Sequence, residues 1–203
     1  MSIILPIHGV GLRAPGMDSA KALLGDPDYE LPIERQEAQP KGLAPGLPPA
    51  ERRRATPVTR LALDAAMEAS GDVPLSDLTA LFTSSGGEVE IVHQIFDMLA
   101  MGDTALSPTA FHNSVHNAAA GYFGIASGSM QPSDSLCAFN DSVGAGLSEA
   151  ALRFASGDRN LLLTAYDLPV PWPIVEYRPI QNGIAGALLL GHELSLIHIS
   201  EPT

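Results

Sequence analysis

The sequence predicts an α/β domain built on a mostly parallel sheet. Short apolar runs that read as strands alternate along the chain with segments of helical periodicity. The crossovers between them are short helices, which suits parallel neighbours in a covered sheet. At 134–156 a strand leads straight into a helix, with polar residues at the junction. That unit is expected to be the centre of the fold.

Residues 2–8 (SIILPIH) are a short apolar run and the expected first strand. Gly9-Val10-Gly11-Leu12-Arg13-Ala14 follows and nominally fits a dinucleotide-binding glycine fingerprint. Pro15-Gly16 would break the helix that must receive the pyrophosphate, so the stretch reads instead as a tight loop. Residues 25–50 are rich in proline and glycine and are expected to be irregular. Arg52-Arg53-Arg54 form a basic cluster just before a helix, suited either to a phosphate-bearing partner or to plain solvation. Thr56 as cap and Pro57 as first residue open that helix. Val58, Leu61, Ala65 and Ala69 recur along it at helical spacing, and Gly71 ends it.

Leu78–Thr83 reads as a strand, and Ser84-Ser85-Gly86-Gly87 as a turn whose amides would suit an anion or simply a flexible connection. Residues 88–101 carry Val89, Val92, Ile95, Phe96 and Leu99 on one helical face. A helix rich in small residues is expected at roughly 113–126. A strand is expected at 134–139, a helix at 142–156, an apolar strand at Leu161–Ala165, a rigid loop at Leu168–Pro173 and a last strand at Ile184–Leu190. Gly144 and Gly146 each cost a helix about 1 kcal/mol against alanine. Their presence in 142–156 predicts close packing on more than one face of that helix.

Composition narrows the function. A net charge of −12 argues against a nucleic-acid partner, because phosphate binding needs a basic surface. The single cysteine, Cys137, fits a reducing compartment. The N-terminal residues lack a basic signal-peptide region, and no apolar stretch reaches the roughly 20 residues of a membrane span. A cytoplasmic location is therefore expected. Residues 194–203 (LSLIHISEPT) resemble the translation of a sequencing-library transposon adapter. The expected organisation is one domain over 1–193 and a non-native tail over 194–203.

Three groups of residues bear on chemistry. Helix N-terminal amides after a strand stabilise developing negative charge, which is where α/β enzymes often hold a nucleophile. Here the junction holds Asn140, Asp141 and Ser142. Cys137 is expected inside the strand as a small buried hydrophobe, with a nucleophilic role as the alternative. His112 and His116 stand at i and i+4, a spacing that suits one metal on a helix face. A zinc site needs a third protein ligand, and Asn113 replaces the glutamate of the H-E-x-x-H motif, so no metal is expected. No G-x-S-x-G sequence occurs, which gives no support to an α/β-hydrolase.

The stretches RRRATPVTRLALDAA, LFTSSGGEVEIVHQI, LSPTAFHNSVHNAAAGYFGIASG and QPSDSLCAFNDSVGAGLSEAALRFASGDRNLLLTAYD resemble the N-terminal half of β-ketoacyl synthases. The likeness is closest to the short synthase-like proteins called chain length factors in aryl polyene gene clusters, and FHNSVHNAAAGY is its most specific part. The resemblance covers most of 1–193 and implies a thiolase-like half with a central buried helix. In the resembling synthases an alanine ends the strand and the catalytic cysteine begins the helix. Counting back without a gap from Gly157-Asp158 places Asn140 at that cysteine, with Cys137 too early. The family's catalytic histidines lie in its C-terminal half, and none of His93, His112 or His116 matches their motifs. The resemblance therefore implies a non-catalytic subunit without a cofactor. It would pair as a heterodimer with an active ketosynthase and meet acyl carrier protein only indirectly, in aryl polyene, type II fatty acid or polyketide biosynthesis. Residues 107–128 would lie near the interface, and His112, Asn113, His116, Asn117, Tyr122 and Phe139 would line that interface or an acyl pocket. A condensing enzyme that carries its acyl group on Cys137 is the alternative.

Overall fold

A computed structural model describes residues 4–21, 24 and 39–191. The expected tail at 194–203 lies outside the described residues. Five strands form one sheet: β1 (Ile7–Arg13), β2 (Thr79–Thr83), β3 (Ser133–Leu136), β4 (Asn160–Asp167) and β5 (Ile184–Gly191). Their order is β1-β5-β4-β2-β3. β2 runs parallel to both β3 and β4, whereas β5 is antiparallel to both β4 and β1. The sheet is thus mixed rather than mostly parallel. No crossover helix separates β4 from β5 among the described elements, so those two strands can pair antiparallel through a loop.

The helices are α1 (Pro49–Arg54), α2 (Pro57–Ser70), α3 (Val89–Ala100), α4 (Pro108–Asn113), α5 (Ala118–Ser127) and α6 (Ser142–Ser156). Successive residues of β4 point to opposite faces of the sheet. Leu162 and Tyr166 join the larger core beneath α2 and α5, with Leu61, Ala65, Phe82 and Phe123. Leu161 and Leu163 join the smaller core beneath α6, with Leu81, Ala150 and Phe154. The Phe82 ring meets Phe123 at 5.7 Å and Tyr166 at 6.2 Å.

The glycines near the N-terminus belong to a strand, not to a loop. β1 covers 7–13 rather than 2–8, and Gly9 and Gly11 lie directly under α2. A Cβ on Gly9 would stand 1.9 Å from the Ala69 carbonyl oxygen, and one on Gly11 2.0 Å from that of Ala65. The pattern is a close approach of helix and strand backbones, not a cofactor fingerprint. Two carboxylates on α2 then fasten the chain around it. Asp64 accepts from the amides of Leu43 and Ala44 at 2.6 and 2.7 Å. Glu68 takes the amides of Leu12 and Ala20, the Ser19 hydroxyl and the Arg13 guanidinium.

Other boundaries also move. The helix expected over 113–126 is two helices, α4 and α5, separated by residues 114–117. The arginines stand in a helix of their own: Arg52 donates to the carbonyls of Pro45 and Leu47, and Arg54 pairs with Glu51. Thr56 caps α2 as expected, its hydroxyl accepting from the Thr59 amide at 3.2 Å. α6 is covered on one side only. Gly146 meets Thr83 and Leu163 of the sheet, while Val143, Leu147 and Leu152 are 54%, 39% and 62% exposed. Layers on both sides of this helix are not present among the described residues. Among the described residues, no helix is long and apolar enough to cross a membrane.

Candidate functional site

The C-terminal ends of parallel strands form the customary ligand crevice of an α/β sheet. Here β2, β3 and β4 end together, and a crevice of about 460 Å³ opens beside them. Ser85, Phe139, Asn140, Ser142, Asp167 and Arg178 are among the residues that line it.

The floor is a hydrogen-bonded knot around Asp167, the last residue of β4. Its Oδ1 accepts from the Ser84 hydroxyl at 2.8 Å and the Gly86 amide at 3.1 Å. Its Oδ2 accepts from the Ser85 hydroxyl at 2.7 Å and the Ser85 amide at 3.2 Å. The Ser85 and Gly86 amides, which the turn could offer to an anion, are thus taken by the protein's own carboxylate. The Ser84 hydroxyl also accepts from the Gly87 amide at 2.6 Å. Gly87 is at φ +57°, and a Cβ there would lie 2.7 Å from Nδ1 of His116.

β3 ends at Leu136, three residues earlier than the sequence suggests, and Phe139–Asp141 form a single 3₁₀ turn. Two expectations change with it. Cys137 is outside the strand and exposed, not buried, with its Sγ 3.5 Å from the Ser85 carbonyl. Phe139 adopts φ +53°, a conformation that strains a non-glycine residue by about 1–3 kcal/mol. Arg178 and Ser142 hold it there. Arg178 stacks over the ring at 4.3 Å and donates to the Ser85 carbonyl at 2.6 Å. The buried Ser142 hydroxyl donates to the Phe139 carbonyl at 2.8 Å and accepts from the Ala138 amide at 3.1 Å. The result presents Asn140 at the crevice, exposed, immediately ahead of α6.

A primary amide is neither nucleophile nor base at neutral pH, so Asn140 supplies hydrogen bonds only. The Asp141 carboxylate lies beside Gly144 in the first turn of α6, where it offsets the positive end of the helix. No histidine is among the residues that line this crevice.

The histidine pair is separated in space and in role. His112 lies in the last turn of α4 with its ring edge-on to Tyr122 at 6.2 Å. His116 lies in the turn before α5, its Nε2 3.1 Å from the Leu136 carbonyl, wedged between β3 and the Gly87 turn. The two do not share a helix face, and no group of three His, Cys, Asp or Glu stands together among the described residues. Asn113 is buried; its amide donates to the Arg54 carbonyl at 2.7 Å and accepts from the Tyr122 hydroxyl at 3.1 Å. It ties α1, α4 and α5 together. His112, Asn117 and Tyr122 line a separate groove of about 440 Å³, together with Phe111, Val115 and Ile125.

Sequence reading missed the Asp167 knot and Arg178. Asp167 ends an apolar strand and Arg178 stands in a proline-rich loop, and neither sits in a motif that would mark it.

The sequence matches the family described as β-ketoacyl synthase, N-terminal domain, over residues 29–199. Among curated proteins, none matches it. In structure it is similar to a chain of the ketosynthase (ApeO) in complex with its chain length factor (ApeC) from Xenorhabdus doucetiae. The TM-score is 0.79 at 26% identity, over 94% of this chain and 80% of that one. The ishigamide ketosynthase/chain length factor follows at 0.72 and 13%, over 96% of this chain and 63% of that one. A β-ketoacyl synthase from Burkholderia phymatum STM815 gives 0.66 and 17%, over 94% and 59%. The last two likenesses show the thiolase-like ketosynthase fold.

Proposed function

The chain belongs to the β-ketoacyl synthase N-terminal domain family, and on that premise we propose that it is a non-catalytic subunit of the chain length factor type. It pairs as a heterodimer with an active ketosynthase and meets acyl carrier protein only through that partner. The setting is cytoplasmic aryl polyene, type II fatty acid or polyketide assembly. The observation that carries this reading is Asn140. It stands just ahead of α6, counting back from Gly157-Asp158 sets it opposite the cysteine of the resembling synthases, and it lines the crevice without a nucleophilic atom.

The surface supports a partner. α3 has no buried residue although its sequence is apolar, and Phe96 and Leu99 are exposed on it. Phe111, Val115 and Ile125 beside the α4–α5 groove are exposed as well. Apolar surface of this extent marks an interaction site. His112, Asn117 and Tyr122 line this groove and Phe139 the separate crevice, which supports their assignment to an interface or acyl pocket.

Co-expression with the ketosynthase of the same gene neighbourhood, followed by size exclusion, tests the pairing. The expected result is one complex that Phe111→Glu disrupts while the variant's own melting is unchanged. A stable monomer that never joins the synthase would sink the proposal. The exposure of Cys137 favours one second reading, an acyl carrier thiol on this chain. Iodoacetamide labelling at neutral pH decides it: labelling no faster than in the denatured protein makes Cys137 structural.

A further inference from the structure

A second space lies apart from the groove. It is a partly open cavity of about 240 Å³ between the start of α2, α3 and the loop after β4. Its walls include Val58, Val89, Ile91, Leu168 and Pro169. One ionisable group faces this space from deep inside the protein. Glu88 is 5% exposed, and its Oε1 accepts from the hydroxyls of Thr56 at 2.6 Å and Thr59 at 2.7 Å. Its Oε2 has no hydrogen-bond partner, and no cation pairs with the carboxyl, among the described residues.

An ionised carboxylate is costly on a residue this buried. Burial pushes the Glu88 carboxyl above the usual range, against the pull of the two threonine hydroxyls. A neutral carboxyl donates one hydrogen bond and still accepts. Holding α2 to the turn needs only Oε1, which leaves Oε2 for something that enters the cavity.

We propose that this cavity is a binding site for an unbranched aliphatic molecule ending in one uncharged oxygen, a hydroxyl or carbonyl, which meets Glu88. The apolar walls select the chain, and the free Glu88 oxygen selects a polar end. The absence of a cationic group on the lining, with Asp167 and Glu90 also bordering it, disfavours acids and phosphates. An apolar cavity of about 150 Å³ holds the six carbons of benzene, so this one holds a chain of roughly six to eight carbons plus its oxygen. The inference stands on the cavity alone and holds whether or not the chain pairs with a synthase.

Titration of the whole chain with 1-butanol, 1-hexanol, 1-octanol and hexylammonium, followed by calorimetry and by methyl NMR, tests it. Affinity should be saturable and tighten about fourfold per methylene, the factor that about 0.8 kcal/mol per buried CH₂ implies, until the cavity is full. Hexanol should bind more tightly than hexylammonium, and Glu88→Leu should weaken hexanol about tenfold. Ile91→Trp, which fills the cavity from α3, should abolish binding. Should that variant fail to fold, the methyl shifts of Val58 and Val89 decide: they must move on titration. No saturable binding, tighter binding of hexylammonium, or unmoved methyls would each overturn the proposal.

Discussion

Replacing Gly11 by alanine tests the central packing argument. The new Cβ would stand 2.0 Å from the Ala65 carbonyl oxygen, 2.9 Å from its carbon and 3.0 Å from the Ala69 nitrogen. All three are backbone atoms of α2, so no side chain can swing away. Ordinary contact begins near 3.4 Å, so helix and strand must part by more than 1 Å. A radial gap of 0.5–1 Å already forfeits about a quarter to a half of each dispersion contact. The residues that would lose them are the alanines of α2 and, on β5, Ala185, Ala187 and Leu189, all in the larger core. Overpacking costs about 1–3 kcal/mol and sometimes more, and rigid backbone obstacles put this case at the upper end. The entropy gain of Gly→Ala in the unfolded chain returns only about 0.4–1 kcal/mol. The net expectation is a loss of about 2–3 kcal/mol, or a melting point lower by roughly 4–12 °C for a domain of this size. Gly124→Ala in α5 is the control, because its Cβ meets nothing within 4 Å. It should gain up to about 1 kcal/mol from helix propensity. Urea and thermal unfolding by circular dichroism measure both. If Gly11→Ala melts within 2 °C of the parent, the close approach of β1 and α2 is not what those glycines serve.

The half-buried Glu68 and the buried Glu88 respond to pH in opposite senses. Burial alone would raise Glu68, but hydrogen bonds from Ser19, Leu12, Arg13 and Ala20 hold it below the usual carboxylate range. Its stabilisation is therefore full above the ordinary glutamate value and is lost as pH falls through the lowered one. Glu68→Gln should flatten the acid limb of a stability–pH curve. Glu88 is raised, chiefly by burial, so its contribution is full below the ordinary value and is lost as pH rises through the raised one. Glu88→Gln should gain on the parent as pH approaches neutrality; melting series from pH 4 to 8 separate the two. Asp167→Asn keeps the shape of the crevice floor but turns one acceptor into a donor facing the donors of Ser84–Gly86. It should cost about 2–3 kcal/mol, read by urea unfolding, and the crevice amides should exchange faster with deuterium.

What the sequence shows and hides at this site follows from the range of the interactions. α2, α3 and the strand β4 are legible because their periodicity and caps are local: Thr56, Pro57 and Gly71 mark one helix without help from the rest of the chain. The Gly9–Gly11 stretch is misread because local rules see only a flexible pair. Their cause is the Ala65 and Ala69 carbonyls, more than fifty residues away. The end of β3 fails for the same reason. Nothing between Cys137 and Asp141 announces a left-handed Phe139. That conformation is held by Arg178, nearly forty residues further on, and by Ser142 reaching back across the turn. Once these distant contacts are in place, the groups that could have done chemistry at the junction are already engaged. Asp167 occupies the turn amides, Asp141 sits at the helix start, and His116 is bound to the Leu136 carbonyl. A cysteine at position 140 would share the crevice with Asp167 and Arg178, with no histidine on the lining to take its proton. Asn140→Cys is expected to alkylate no faster than Cys137, because no base on the crevice lining activates the thiol. Rapid, pH-independent labelling of that variant near neutrality would show that the junction still holds a working activation site, and the non-catalytic reading would fail with it.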